Sequence, residues 1–120
     1  MAEPTETVMR SLAEGVEFNT IAREWRFKWS PDNDKQSLVA AQNAFIPFLY
    51  QLKALDGLRD VQRIVCGGCY DYKIIIALTA DKFSAWADNE FAPEKDYLTQ
   101  ISTIPGLSCI ETQNYTIMRL

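Results

Sequence analysis

Residues 19–30, NTIAREWRFKWS, alternate in character along the chain. Ile21, Trp25, Phe27 and Trp29 share one face, interrupted by Arg23, while Ala22, Glu24, Arg26 and Lys28 share the other. A period of two with one apolar and one charged face predicts a strand covered on one side. Ser30-Pro31-Asp32-Asn33 is turn chemistry, and Asp34 is placed to cap a following helix. There Leu38, Ala41, Phe45, Phe48, Leu49, Leu52 and Leu55 recur at helical spacing. Pro47 lies inside this run. It lacks an N–H and crowds the carbonyl four residues back, which predicts a kink near Asn43. Asp56-Gly57 closes the helix.

The next two runs, 61–66 and 70–79, predict a hairpin around Gly67-Gly68, with positive φ at the glycines. In the second run Tyr72, Ile74, Ile76 and Leu78 face one way, and Lys73, Ile75 and Ala77 the other. Apolar residues on both faces predict a central strand. Asp81 is then expected to cap a helix carrying Phe83, Trp86 and Ala87. The pattern breaks over 89–94, with Pro93 suited to a first helical position. Tyr97, Leu98, Ile101 and Ile104 form a second helical stripe that Pro105-Gly106 stops, and residues 107–119 alternate again. Ahead of all this, Val8 and Leu12 in residues 4–14 predict a short helix ended by Gly15.

The order is β-α-β-β-α-β, an α+β ferredoxin-like plait: a four-stranded antiparallel sheet, strand order 4-1-3-2, with the helices on one face. The expected division is an extension over 1–18 and a ferredoxin-like domain over 19–120. The expected core includes Trp25, Phe27, Phe45, Leu49, Leu52, Ile74, Ile76, Trp86, Leu98 and Ile101. The uncovered face carries Glu24, Arg26, Lys28, Lys73, Ile75 and Ala77, with Glu111, Gln113, Tyr115 and Ile117 from the last strand. Its apolar members predict a homodimer or higher homo-oligomer of the dimeric α/β type.

Composition narrows the chemistry. The chain has 120 residues, net charge −4 and no histidine. An acidic chain lacks the basic field that DNA or an anionic membrane attracts, so neither is an expected partner. The central strands place no aromatic on the open face, which argues against the stacking used by RNA-binding plaits. Serine or cysteine nucleophile systems that need histidine are excluded within one chain, as are histidine-containing metal sites. Three cysteines and no secretory leader pattern fit a reducing, cytoplasmic setting. No cofactor or metal is implied, and the reading leans away from an enzyme.

Cys66-Gly-Gly-Cys69 has the spacing of a redox or metal pair. It lies in a hairpin turn, not at a strand-to-helix junction, so the helix end that activates such thiols is missing. With one further cysteine, Cys109, a four-ligand zinc set is incomplete. The favoured reading of the pair is two small residues flanking a turn. The candidate ligand site is the same hairpin: Gly68, Tyr70 and Asp71, with Arg26 or Lys28 balancing an anion and Asp71 receiving an ammonium. The competing role of Asp71 is to satisfy turn N–H groups.

The second half resembles the ligand-sensing C-terminal domain of the feast/famine (leucine-responsive and asparagine-type) regulators. The residues concerned are Gly68 to Asp71 (GCYD), Asp81, Phe83, Trp86, Ile104-Pro-Gly-Leu107 and Glu111-Thr112. That resemblance implies a stand-alone, homo-oligomeric regulatory module binding a small metabolite near the GCYD hairpin. It implies no DNA binding. Lys28-Trp29, Asp32-Asn33-Asp34, Leu55-Asp56-Gly57-Leu58 and the hairpin ending at Lys73 resemble the nucleotide-exchange domain of translation elongation factor beta subunits, which implies a GTPase partner. By architecture the chain is also similar to the dimeric α/β-barrel group, including small monooxygenases and dehydratases. That similarity implies a histidine-free enzyme here.

Overall fold

The computed structural model describes residues 8–120. Its elements are β1 (Arg10–Ala13), β2 (Val16–Phe18), β3 (Thr20–Lys28), α1 (Asp32–Lys53), β4 (Leu58–Val65), β5 (Asp71–Thr79), α2 (Ala80–Asp88), α3 (Glu94–Ser102) and β6 (Ser108–Ile117). The main sheet has the order β4-β5-β3-β6 with every pairing antiparallel, so the two strands of strongest β character are central. This is the α+β plait that the periodicity predicts. None of the helices among the described residues is long and apolar enough to cross a membrane.

The helices cover the face that carries Trp25, Phe27, Tyr72, Ile74 and Ile76. Those side chains and Leu52, Leu78, Tyr97 and Ile101 are fully buried. Tyr97 of α3 is the hub of the layer. Trp25, Phe45 and Phe48 meet its ring at centroid distances of 5.7, 5.4 and 5.7 Å, and Phe27 stacks on Tyr72 at 4.8 Å. Edge and offset contacts of this kind add to the area term. Of the expected core, Leu49 and Leu98 lie at the margin, half-buried; the rest are buried.

Several local expectations are corrected. Over 10–18 the extension is a two-stranded hairpin, β1 with β2, where a helix is expected; Gly15 turns it at φ +78°. The part of that expected helix at residues 4–7 lies outside the described residues. The backbone irregularity of α1 is at Asn33, Asp34 and Lys35, all left-handed at φ 53–62°, and not near Asn43. Asn and Asp tolerate that region through local hydrogen bonding; Pro31 holds the N-cap position, without a side-chain cap bond, and Asp34 does not act as the cap. Asn43 and Pro47 both lie on the exposed side of α1, where water can satisfy the carbonyl that proline leaves unpaired. Thr79, not Asp81, occupies the N-cap of α2.

The hairpin turn is also built differently. Gly67 and Gly68 do not take positive φ; Tyr70 does, at 62°. Positive φ is needed at Gly57 (+82°) and Gly106 (+90°). A Cβ there would sit 2.5 Å from Lys82 Cβ and 2.9 Å from Ser37 Cβ, respectively.

The second face of the sheet is not a bare polar surface. Ala22, Ile75 and Ala77 form a small buried cluster with Tyr115 against it, and Glu24 is 5% exposed. The Tyr115 hydroxyl donates to Glu24 Oε1 at 3.3 Å. Burial and the adjacent Glu24 charge push that phenol up to about 12.

Candidate functional site

At the end of the sheet nearest the β4–β5 turn, the residues singled out in the sequence come together. Lys28 pairs in register with Asp71 on one side and Ser108 on the other. Its Nζ lies 2.6 Å from Asp71 Oδ1 and donates to the Cys69 carbonyl at 2.9 Å. The hydrogen bond from Lys28 holds the Asp71 carboxyl below its usual value. Arg26 is engaged by Glu111, through both Nε and Nη2, and Glu24 lies 3.8 Å away. Tyr70 packs edge-on to Trp29 at 5.1 Å, and Gly68 sits at the open tip. Arg26, Phe27, Lys28, Asp71, Cys109 and Glu111 line a shallow recess of about 200 Å³. Cys66 and Cys69 are joined by a disulfide across the turn, in place of the two unbonded small residues expected there.

A second concavity, of about 370 Å³, runs between α1 and β4. Leu38 and Val39 wall it from the helix, and Val65 from the strand. Its polar groups are Gln42 and Asn43 of α1, Arg63 of β4 and Tyr72 of β5. The register places Arg63 opposite Ile74 and Val65 opposite Tyr72, so both lie on the helix-covered face of an edge strand. Tyr72 donates its hydroxyl proton to Gln42 Oε1 at 2.6 Å, which leaves the Gln42 amide N–H₂ available to a ligand. Burial pushes the Tyr72 phenol up to about 12, against the pull of Arg63 and of the Tyr97 hydroxyl. Tyr97 is raised further, by burial and by Tyr72. At neutral pH both are therefore donors, not bases. Apolar walls with a few convergent polar groups are the usual make-up of a small-molecule site.

A third cluster joins β3 to α3. Glu94 accepts from Arg23 Nε and Nη2 at 2.9 and 2.8 Å and from Trp25 Nε1 at 2.9 Å. Arg23 also donates to Asn114 Oδ1 and Thr112 Oγ1, each at 3.0 Å, and lies 3.9 Å above the Phe91 ring. These partners account for the charge that breaks the apolar face of the first strand. Its donors are committed to the protein, and the arrangement is a fastening between sheet and helix. Among the described residues no group of His, Cys, Asp or Glu could hold a metal ion.

The sequence pattern marks neither Gln42 nor Arg63, and marks Asn43 only as the place of a kink. The available signal was Arg63, a charge at an otherwise apolar alternation between Val61 and Val65, of the same kind as Arg23. No spacing connects it to Gln42, because the two meet only when α1 folds over β4.

No protein-family model matches the chain, and no curated protein matches it by sequence. Solved structures do match in fold. Rv0793 of Mycobacterium tuberculosis aligns with a TM-score of 0.58 at 14% identity, over 84% of this chain and 97% of that one. A Deinococcus radiodurans protein assigned to the antibiotic-biosynthesis monooxygenases aligns at 0.59 and 8% identity, over 83% and 94%. SnoaB of Streptomyces nogalater, a cofactor-independent oxygenase, aligns at 0.54 and 14% identity, over 85% and 96%. These likenesses establish the fold. They also correct the family reading: the structural similarity is to monooxygenase-like plaits, not to the feast/famine ligand-sensing domain or the elongation-factor exchange domain. The GCYD phrase lies at the β4–β5 turn and Ile104-Pro-Gly-Leu107 between α3 and β6, so both fall where this topology turns.

Proposed function

We propose that this chain is a histidine-free enzyme of the small α/β monooxygenase type, acting as a homo-oligomer on a planar, electron-rich molecule held between α1 and β4. The groove carries this reading. Its volume, about 370 Å³, suits a ligand of two or three fused or linked rings. Leu38, Val39 and Val65 supply apolar walls for the ring faces. Arg63 is placed to pair with a phenolate or carboxylate oxygen, and the Gln42 and Asn43 amides to orient it. The likeness in fold to a cofactor-independent oxygenase supports oxygen as co-substrate. A bound aromatic anion can itself supply electrons to oxygen, and Arg63 favours the anionic form of the ligand. The Tyr72 phenol, neutral at pH 7, gives its one proton to Gln42 Oε1 and so holds the Gln42 amide N–H₂ toward the ligand.

The test combines binding and turnover. Naphtholate- and naphthoate-type probes should raise the melting temperature in proportion to occupancy. Arg63→Ala should weaken their binding by about tenfold or more, the scale of a hydrogen bond to a charged group, with the fold intact. An oxygen electrode should record consumption with an oxidisable phenolic probe. Unchanged affinity in Arg63→Ala would remove the groove as the site.

A further inference from the structure

The β4–β5 turn carries a feature that the groove does not use. Topology brings all three cysteines to one end of the sheet: Cys66 and Cys69 bonded across the turn, and Cys109 at a bulge of β6. The bulge lies where the register jumps from Arg26–Glu111 to Lys28–Ser108, and Cys109 takes φ 55° there. It lines the recess shared by Lys28 and Asp71. We propose that Cys66–Cys69 is a reversible thiol–disulfide exchange site whose co-substrate is a low-molecular-weight thiol.

Access is the first support. Cys69 is exposed, and a Cβ built at Gly67 or Gly68 would meet nothing within 4 Å, so nothing overhangs the turn. The second is the unequal setting of the two sulfurs. The Cys69 backbone N–H donates to Cys66 Sγ at 3.0 Å, whereas Asp71 Oδ2 lies 3.4 Å from Cys69 Sγ. Hydrogen bonding to an anion stabilises it, and an adjacent carboxylate opposes it. On opening, Cys66 is therefore the better leaving thiolate, and Cys69 the sulfur that carries a proton, donated to Asp71. The third is Lys28. Its ammonium bridges the Cys69 carbonyl and Asp71, which offsets negative charge as a thiolate approaches.

The exchange balances with two equivalents of thiol, RSH, each entering as its thiolate. The first attacks Cys69 Sγ, breaking the Cys66–Cys69 bond and releasing the Cys66 thiolate while an R–S–S–Cys69 mixed disulfide forms. The second attacks the R sulfur, giving RSSR and the Cys69 thiolate. The two protons lost by the thiols return to the protein cysteines or to solvent. The protein disulfide is reduced and the small thiol oxidised, and RSSR reverses both steps. Tyr70 packs on Trp29, and Trp29 Nε1 donates to the Asp71 carbonyl at 3.2 Å, so the Trp29 environment is tied to the turn.

The experiment is a titration of the folded full chain in graded mixtures of reduced and oxidised glutathione. The oxidised chain should show one free thiol, Cys109, and the reduced chain three. Tryptophan emission should change reversibly along the same curve. Cys66→Ser should accumulate a glutathione adduct on Cys69, and Lys28→Met should slow opening of the wild-type bond by about threefold to tenfold. Cys109→Ser should leave the curve in place. Three free thiols in the air-oxidised folded chain, opening only in denaturant, or a curve abolished by Cys109→Ser would each overturn the assignment. The wild-type titration decides the matter even where a variant fails to fold. Because the turn and the groove are separate, loss of one reading leaves the other standing.

Discussion

Glu94, the first residue of α3, grips Arg23 of β3 through both carboxylate oxygens, at 2.8 and 2.9 Å, and both side chains are only 13–14% exposed. A charge pair so withdrawn from water holds because neither member is left without partners. Glu94→Ala leaves Arg23 without its countercharge and takes the acceptor from both Arg23 Nε and the Trp25 indole N–H. It should cost about 3 kcal/mol in urea unfolding, with Glu94→Gln costing less because an amide oxygen still accepts. A loss below about 0.5 kcal/mol would class the pair with solvent-screened surface pairs.

Glycine substitutions separate the two kinds of turn. Gly57→Ala meets Lys82 and Thr79 at 2.5–2.8 Å and must hold φ near +82°, so it should destabilise markedly. Gly67→Ala meets open space without a positive φ, and should be neutral or stabilising by up to about 1 kcal/mol. Equal losses at both positions would mean that the β4–β5 turn also depends on glycine.

Alkaline pH should weaken the fold through Tyr72. Burial raises its phenol from 10.0 to about 12, so between those values the unfolded chain has lost a proton that the folded chain keeps. The sign follows: the stabilisation is whole below pH 10 and is lost as pH rises through about 12, by about 2–3 kcal/mol for this residue. Tyr97 and Tyr115 are raised too and act in the same direction. Tyr72→Phe should make the alkaline decline shallower; an unchanged decline would place the titration elsewhere.

Self-association through the open sheet face is testable at Ile117, which is 38% exposed, and not at Ile75, which is 6% exposed within one chain. Ile117→Glu should shift sedimentation toward 13.7 kDa while circular dichroism stays native. Ile75→Glu buries a carboxylate directly opposite Glu24 and should unfold the chain instead. A wild-type chain that sediments as a monomer at micromolar concentration would end this part of the reading.

Local periodicity determined the plait. Alternation in β3 and β5, the helical stripe from Leu38 to Leu55 and the break over 89–94 each depend on neighbours a few residues away, and each was legible in the sequence. So were the central places of β3 and β5, since apolar residues on both faces of β5 exclude an edge. The extension is not legible in this way, because an apolar spacing of four, Val8 to Leu12, fits a helical stripe and an extended segment equally. The turn takes its positive φ at Tyr70 and not at Gly67 or Gly68, which glycine content alone does not reveal. Tertiary structure alone decided the partners of charge: Arg23 waits for Glu94, 71 residues away, and Lys28 for Asp71. It also decided the groove, since Arg63, Gln42 and Tyr72 come from three elements that share no spacing. A period reports which face a side chain occupies; only the packed helix reports what lies across from it.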